Sequence, residues 1–225
     1  MKPLLSEILR PQTLAVLVLH ENIRSLLERV VEARSIQNLL FYGKPGIGKT
    51  SACRILLREL NADYYEINGS FNHGDKSMLG HIERFAYTCS LHGGPKICFI
   101  DEADHMSKEV QGSLRYIIER ASDNTRFLLT ANEIKRLTPA ILSRCHPICF
   151  DVSQTRAREV VEMVIGRYEQ KLKENSYSYD PKRLREIVCA YFPDLRRVAN
   201  QLEWELGLQE QTYEFKLGGV AKKID

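Results

Sequence analysis

Short β-prone runs alternate with amphipathic stretches over roughly the first 150 residues. Asn38-Leu39-Leu40-Phe41-Tyr42, Asp63-Tyr64-Tyr65-Glu66-Ile67-Asn68, Lys96-Ile97-Cys98-Phe99-Ile100, the stretch Thr125–Thr130 and Ile148-Cys149-Phe150 read as strands. Helical spacing recurs between them. Ile23, Leu26, Leu27, Val30 and Val31 share one face, opposite a solvated face of Arg24, Glu28, Arg29 and Glu32. Ser51 to Leu60 follows the same period. So do Met78, Leu79, Ile82, Phe85 and Ala86 within 76–91, and Val110, Leu114, Ile117 and Ile118 within 107–121. A short helix is expected near Pro139. Strands separated by helices, mostly apolar throughout, predict an α/β fold: a five-stranded parallel sheet covered on both faces. After Asp151 only helical periodicity remains, at about 154–173, 181–191 and 194–208, with breaks at Asn175–Ser178 and Phe192-Pro193. The expected organisation is an α/β domain over 1–151, a small helical domain over 152–208, and a tail over 209–225.

Composition adds bounds. The 225 residues are 44% hydrophobic and 27% charged, with a net charge of +3, which suits an ordinary globular chain and does not by itself argue for nucleic acid. No apolar run approaches the ~20 residues that a membrane span needs, and Met1 to Glu7 lacks the apolar core of a signal peptide. No membrane partner is expected. The six cysteines form no Cys-x-x-Cys pair and mostly sit in apolar runs, as core filler in a reducing compartment does. Cys145 and Cys149, near His146, lack a second ligand pair at zinc spacing.

The chemistry begins at Gly43-Lys44-Pro45-Gly46-Ile47-Gly48-Lys49-Thr50, with Ser51 following. It fits Gly-x-x-x-x-Gly-Lys-Thr between a strand and a helix. Glycines let backbone N–H groups close on phosphate oxygens, Lys49 would reach the β- and γ-phosphates, and the Thr50 hydroxyl would ligate Mg²⁺. The helix N-terminus favours the same anion. A chance match, with the wrong flanks, is the bland alternative.

A central apolar strand then ends in Asp101-Glu102-Ala103-Asp104. Asp101 would hold Mg²⁺ through water, and Glu102 would orient and deprotonate the attacking water. A solvated turn is the alternative, made less attractive by the intact phosphate loop. Asn132 ends the next strand; if that strand adjoins the loop strand, its amide can hold the attacking water. Arg144 follows a short helix, too far along the sheet to serve its own site easily. In a ring it would face the neighbouring subunit's nucleotide and stabilise the transferred phosphoryl group. A surface ion pair is the alternative.

These segments together resemble the AAA+ ATPases, and within them the clamp-loader subunits: replication factor C small subunits and their bacteriophage equivalents. The resemblance covers about residues 8–208. Gly43 to Thr50 resembles Walker A and Asp101 to Asp104 Walker B. Thr130-Ala131-Asn132 resembles sensor 1, Gln111-Gly112-Ser113-Leu114-Arg115 the family's Gln-x-x-Leu-Arg segment, and Ser143-Arg144-Cys145 its Ser-Arg-Cys motif. Leu9-Arg10-Pro11 resembles a segment that packs near the adenine. Phe192-Pro193-Asp194-Leu195-Arg196-Arg197 resembles the lid motif carrying the sensor 2 arginine, here Arg196, although Pro193 stands where replication factor C usually has Gly.

The resemblance implies ATP with Mg²⁺, and a catalytic set of Lys49, Glu102, Asn132 and, in trans, Arg144. It implies Asn68 as a polar switch restraining Glu102, and Gln111 with Arg115 as a link between DNA and the nucleotide. Lys76, Arg84, Lys108 and Arg115 would contact DNA phosphates. The implied function is loading of a sliding clamp onto primer–template DNA, within a ring of subunits, in a bacterial, archaeal or phage-infected cytoplasm or a eukaryotic nucleus. The chain stops near where the family's collar domain begins, which leaves a fragment, a collar dispensed with or a collar supplied by another chain, and bears on whether a pentamer forms. Two other classes stay open: another AAA+ ATPase on DNA, of the initiator, helicase-loader or branch-migration type, and a scaffold subunit that holds nucleotide without turnover.

Overall fold

The computed structural model describes residues 4–70, 76–90 and 93–217. They divide into two compact units, residues 11–153 and residues 4–10 with 154–217. The strands are β1 (Leu39–Tyr42), β2 (Asp63–Asn68), β3 (Lys96–Asp101), β4 (Thr125–Ala131) and β5 (His146–Cys149). The helices are α1 (Leu5–Ile8), α2 (Glu21–Glu32), α3 (Lys49–Glu59), α4 (Lys76–Tyr87), α5 (Lys108–Arg120), α6 (Pro139–Leu142), α7 (Ala157–Glu174), α8 (Pro181–Tyr191) and α9 (Leu195–Leu217).

The strands of the first unit pair in parallel in the order β2-β3-β4-β1-β5, the five-stranded sheet that the pattern predicts. The alternating pleat explains why the central strands are apolar throughout. Leu40, Cys98, Ile100, Phe127 and Leu129 point to one side, where Met78 and Ile82 of α4 and Leu114 and Ile117 of α5 complete a core. Leu39, Phe41, Ile97, Phe99 and Leu128 point to the other, with Leu27 of α2 and Ile55 and Leu56 of α3. Each fully buried side chain of this size contributes about 1.5–3 kcal/mol. Ser107 caps α5, its side chain accepting the Val110 N–H at 3.3 Å.

One polar face differs from expectation. Arg24 is not solvated with Glu28, Arg29 and Glu32: its Nη1 donates to Leu14 O at 2.7 Å and its Nη2 to Leu17 O at 2.8 Å. Residues 14–16 form a single 3-10 turn closed by the Leu17 N–H on Leu14 O, and the guanidinium adds a second donor to that carbonyl and one to Leu17 O just beyond the turn.

The helical unit consists of α1 and α7–α9. Leu5, Leu9, Val164, Ile165, Tyr168, Leu172, Leu184, Ile187, Val188, Val198 and Leu202 are among its buried apolar side chains. Asp180 caps α8, accepting the Lys182 N–H at 2.9 Å with Pro181 in the first turn. Residues 4–10 group here rather than with the sheet, because the Leu5 N–H donates to Glu203 Oε1 and Leu5 and Leu9 are buried. The last helix also outruns its expected end at 208: α9 continues to Leu217. Residues 209–217 hold no glycine or proline to stop a helix, and the first glycines after Gly207 are Gly218 and Gly219. Among the described residues no helix is long and apolar enough to cross a membrane.

Candidate nucleotide-binding site

Parallel strand order places the ends of β1, β3 and β4 side by side at the carboxyl edge of the sheet, where open α/β sheets bind ligands. The loop after β1 turns with positive φ at Gly46 (73°) and Gly48 (102°) before α3 begins at Lys49. Its base is tied down from both flanks. The Gly43 N–H donates to Ala131 O of β4 at 3.3 Å, and the Lys44 N–H donates to Asp151 Oδ1, just after β5, at 2.7 Å. Gly43 has φ 142°, and a Cβ there would stand 2.9 Å from Asp151 Oδ1. Only glycine lets that carboxylate approach.

Lys49 is 6% exposed. Its ammonium donates to Gly43 O at 2.7 Å, Lys44 O at 2.9 Å and Asn132 Oδ1 at 2.8 Å. Asn132 reaches it because β4 is the neighbour of β1, Tyr42 standing opposite Ala131. On the other side, the Thr50 hydroxyl donates to Asp101 Oδ1 at 2.9 Å. Asp101 also receives the Thr130 hydroxyl, and Thr130 Oγ1 accepts the Glu102 N–H at 2.9 Å. Glu102 takes a left-handed conformation, φ 55° and ψ 45°, which costs a non-glycine residue about 1–2 kcal/mol. Among the described residues no hydrogen bond engages its carboxylate.

A triphosphate fits this cradle: a buried ammonium, a loop with positive-φ glycines and the N-terminus of an eleven-residue helix converge on it. Mg²⁺ fits too. Among the described residues no group of three or more His, Cys, Asp or Glu could hold a metal, but the Thr50 hydroxyl and Asp101 carboxylate are the hard oxygen pair this ion takes alongside phosphates. Cys145 is buried, its thiol pushed up to about 12 by desolvation, while Cys149 and His146 are exposed.

The other expected residues disperse. Lys44 and Pro45 are exposed, Gly46 and Ser51 half-buried, and the Ile47 side chain is buried in the core, leaving its backbone for the loop. Arg144 lies at the opposite edge of the sheet. It precedes β5, whose His146 pairs with Leu39 at the start of β1, and Asn38 Nδ2 donates to Arg144 O at 3.2 Å. A four-residue strand, about 13 Å at ~3.3 Å per residue, separates it from the phosphate loop. Its guanidinium pairs with Glu119, and this hydrogen bond holds that carboxyl below the usual range. Arg10 and Pro11 fall on the boundary between the units, and Arg196 is exposed on α9 in the helical unit.

The two switch residues are engaged elsewhere. Asn68 Oδ1 accepts the Ser70 N–H and hydroxyl, at 2.8 and 2.6 Å, as in an Asx turn. Gln111 is 1% exposed and faces no solvent. Its Nε2 donates to Met106 O at 3.0 Å and Arg136 O at 3.2 Å, and its Oε1 accepts the Thr138 N–H at 2.8 Å. It links the turn after β3 to the segment after β4. α4 and α5 pack together, with Arg84 and Lys108 exposed and Arg115 half-buried; the Lys76 side chain lies outside the described residues.

Asp104 had no role in the motif reading, yet its buried Oδ2 accepts the N–H groups of Asn132 at 3.1 Å and Glu133 at 3.0 Å. It sets where the Asn132 side chain starts. Its place in the Asp-Glu-Ala-Asp run was the one signal available.

The family model described as "ATPase family associated with various cellular activities (AAA)" matches residues 39–152. The chain is 31% identical over 220 residues to a replication factor C small subunit of Methanococcus maripaludis, covering 95% of this chain and 68% of that one. It is 32% identical over 201 residues to mouse replication factor C subunit 5, with 86% and 58% covered. It is 35% identical over 202 residues to subunit 3 of Saccharomyces cerevisiae, with 86% and 57% covered. The chain belongs to the AAA family of ATPases, in the branch of replication factor C small subunits. It spans somewhat over half the length of the mouse and yeast relatives. Among solved structures, the Thermotoga maritima RuvB Holliday junction branch migration motor superposes with a TM-score of 0.67 at 20% identity, over 87% of this chain and 64% of that one. The Aeropyrum pernix Orc1 protein in complex with DNA gives 0.67 at 18%, over 92% and 64%. At those identities the likeness is one of fold.

Proposed function

We propose that the chain is an ATP-hydrolysing clamp-loader subunit, acting in a ring whose nucleotide sites are completed by neighbours. The observation that supports this best is the position of Arg144. It belongs to the Ser-Arg-Cys motif and stands a full strand away from its own phosphate loop, so it serves a second subunit's site rather than its own once its pair with Glu119 opens.

Within one subunit, the loop N–H groups and Lys49 bind the triphosphate. Thr50 and Asp101 hold Mg²⁺, which when bound neutralises charge on the phosphate oxygens. Asn132, hydrogen-bonded to Lys49, orients the attacking water, and the Glu102 carboxylate takes its proton, a contribution of about 10²–10⁴ in rate. Arg144 of the neighbouring copy or subunit stabilises the transferred charge, an effect of roughly 10³–10⁵ where such fingers are measured. Arg196 senses the filled site from the helical unit, and Arg10 with Pro11 flanks the base. Gln111, buried between the segments after β3 and β4, carries the DNA signal with Arg115, and Asn68 restrains the hydrolytic turn. Lys76, Arg84, Lys108 and Arg115 bind primer–template phosphates, a contact without base specificity that weakens with salt. Partners are the other loader subunits, a sliding clamp and primed DNA, in cytoplasm or nucleus according to host.

The test is complementation. Arg144→Ala keeps nucleotide binding and loses turnover, by about a hundredfold or more; mixing it with Glu102→Gln protein restores part of the activity at mixed interfaces. Normal turnover by Arg144→Ala alone defeats the trans reading. Stimulation of the unaltered chain by primed DNA and clamp together separates a clamp loader from another DNA-associated ATPase.

A further inference from the structure

Thr130 occupies the place where the pairing of β3 with β4 stops. The register runs from Lys96 opposite Thr125 to Ile100 opposite Leu129. One step further the Thr130 side chain, 1% exposed, takes over from the backbone. Its oxygen accepts the Glu102 N–H at 2.9 Å, and its proton goes to Asp101 Oδ1. The peptide that follows is hemmed in from β2 as well: a Cβ on Gly69 would stand 2.6 Å from Glu102 O.

We infer that Thr130 is a positioning residue for both carboxylates of the hydrolytic turn, aiming Asp101 by donating to it and fixing the left-handed turn of Glu102 by holding its N–H. A continued strand would send the Glu102 side chain to one face of the sheet; the left-handed turn redirects it. The hydroxyl holds that turn at its first hydrogen bond. The consequence for turnover rests on the hydrolysis reading above, whereas the brace itself does not.

Valine has the shape of threonine with neither donor nor acceptor, and serine keeps the hydroxyl. In the ligand-free protein, Thr130→Val should raise hydrogen exchange at the Glu102 amide about tenfold, the loss of one ordinary hydrogen bond, while Thr130→Ser leaves it protected. Turnover at saturating ATP should fall about tenfold to a hundredfold in Thr130→Val, with the affinity for a non-hydrolysable ATP analogue held within about twofold, and Thr130→Ser should recover most of the rate. Thr130→Ala, which cannot overpack, replaces the valine variant if the latter does not melt cooperatively. Unchanged amide protection overturns the inference. So does unchanged turnover, or a loss of analogue affinity that matches the loss of rate. Glu102→Gln is the control for the underlying reading: if it turns over ATP as the unaltered chain does, the hydrolysis reading fails, and the amide measurement alone decides the brace.

Discussion

The two units differ in where most of their charged contacts fall. Around the phosphate loop of the sheet unit, charged side chains bond mainly to backbone: Lys49 to Gly43 and Lys44, Asp104 to Asn132 and Glu133, Asp151 to Lys44. In the helical unit Glu203 and Arg167 also reach backbone, at Leu5 and Leu9, but along the helix surfaces charges pair with each other, Arg183 with Glu205 and Arg185 with Glu162. A backbone partner cannot move away or find water, so an inward charge fixes the course of the chain. A surface partner can be replaced by solvent at little cost. The same residue types therefore organise a site in one unit and decorate helices in the other.

The sharpest break of this contrast comes at Lys49. Lys49→Ala removes one buried ammonium and strands two loop carbonyls and the Asn132 amide oxygen. Charge-assisted hydrogen bonds are worth about 1.5–3 kcal/mol each, so losing one or two of them lowers affinity for an ATP analogue about a hundredfold or more. Titration calorimetry reads this directly. Binding that survives within a few-fold would mean that the ammonium organises the loop but does not hold the phosphates.

Asp104 should show the structural half of the same rule. Asp104→Ala leaves the N–H groups of Asn132 and Glu133 buried without an acceptor, at about 1–3 kcal/mol each. Losing its own solvent-poor carboxylate, with Oδ1 unpartnered, gives some of that back. A net loss of about 2 kcal/mol is expected in denaturant unfolding. Asp104→Asn, which keeps an acceptor, should lose less. A loss under about 0.5 kcal/mol, the usual scale of a surface change, would put Asp104 with the surface charges instead.

The phosphate loop was legible in the sequence because its requirements are local: glycines, lysine and threonine at fixed spacing between a strand and a helix. The sheet was legible because a strand buried on both faces leaves no polar position in its middle, as in Ile97 to Ile100. Asn132 beside Lys49 and Thr50 beside Asp101 were legible through their motifs; what escaped were contacts between distant segments that no motif carries. Thr130 and Glu102 lie 28 residues apart, as do Asp104 and Asn132, and no periodicity announces such pairs. Gln111 was legible as part of a motif, but nothing in the motif announces the three bonds it makes to Met106, Arg136 and Thr138. Arg24 carried the charge of a solvated helix face, and only the 3-10 turn beside it reveals the carbonyls it serves. Leu5 and Leu9 span one helical turn, too little for a periodic signal, and their burial depends on α9 and a Glu203 carboxylate near the other end of the sequence.

The smallest expected effect lies in the helical unit. Arg183→Ala breaks a bidentate pair with Glu205, the guanidinium half exposed at 52% and the carboxylate at 21%. Because one partner stays in water, the pair should contribute little, and less in high salt. Its pH dependence has a definite sign. The Arg183 hydrogen bonds are the main reason that the Glu205 carboxyl lies below its ordinary value. The carboxylate form is thus favoured more in the folded chain than in the unfolded one. The stabilisation is complete above the unfolded glutamate value of about 4.3 and disappears as pH falls through the lowered folded value. Unaltered and Arg183→Ala proteins should therefore differ in denaturant midpoint at pH 7 by a small amount and converge as the pH falls below that lowered value. A difference as large as the one expected for Asp104→Ala, or one that persists in acid, would show that the Arg183–Glu205 pair too is an internal fastener, and the contrast between the two units would fall.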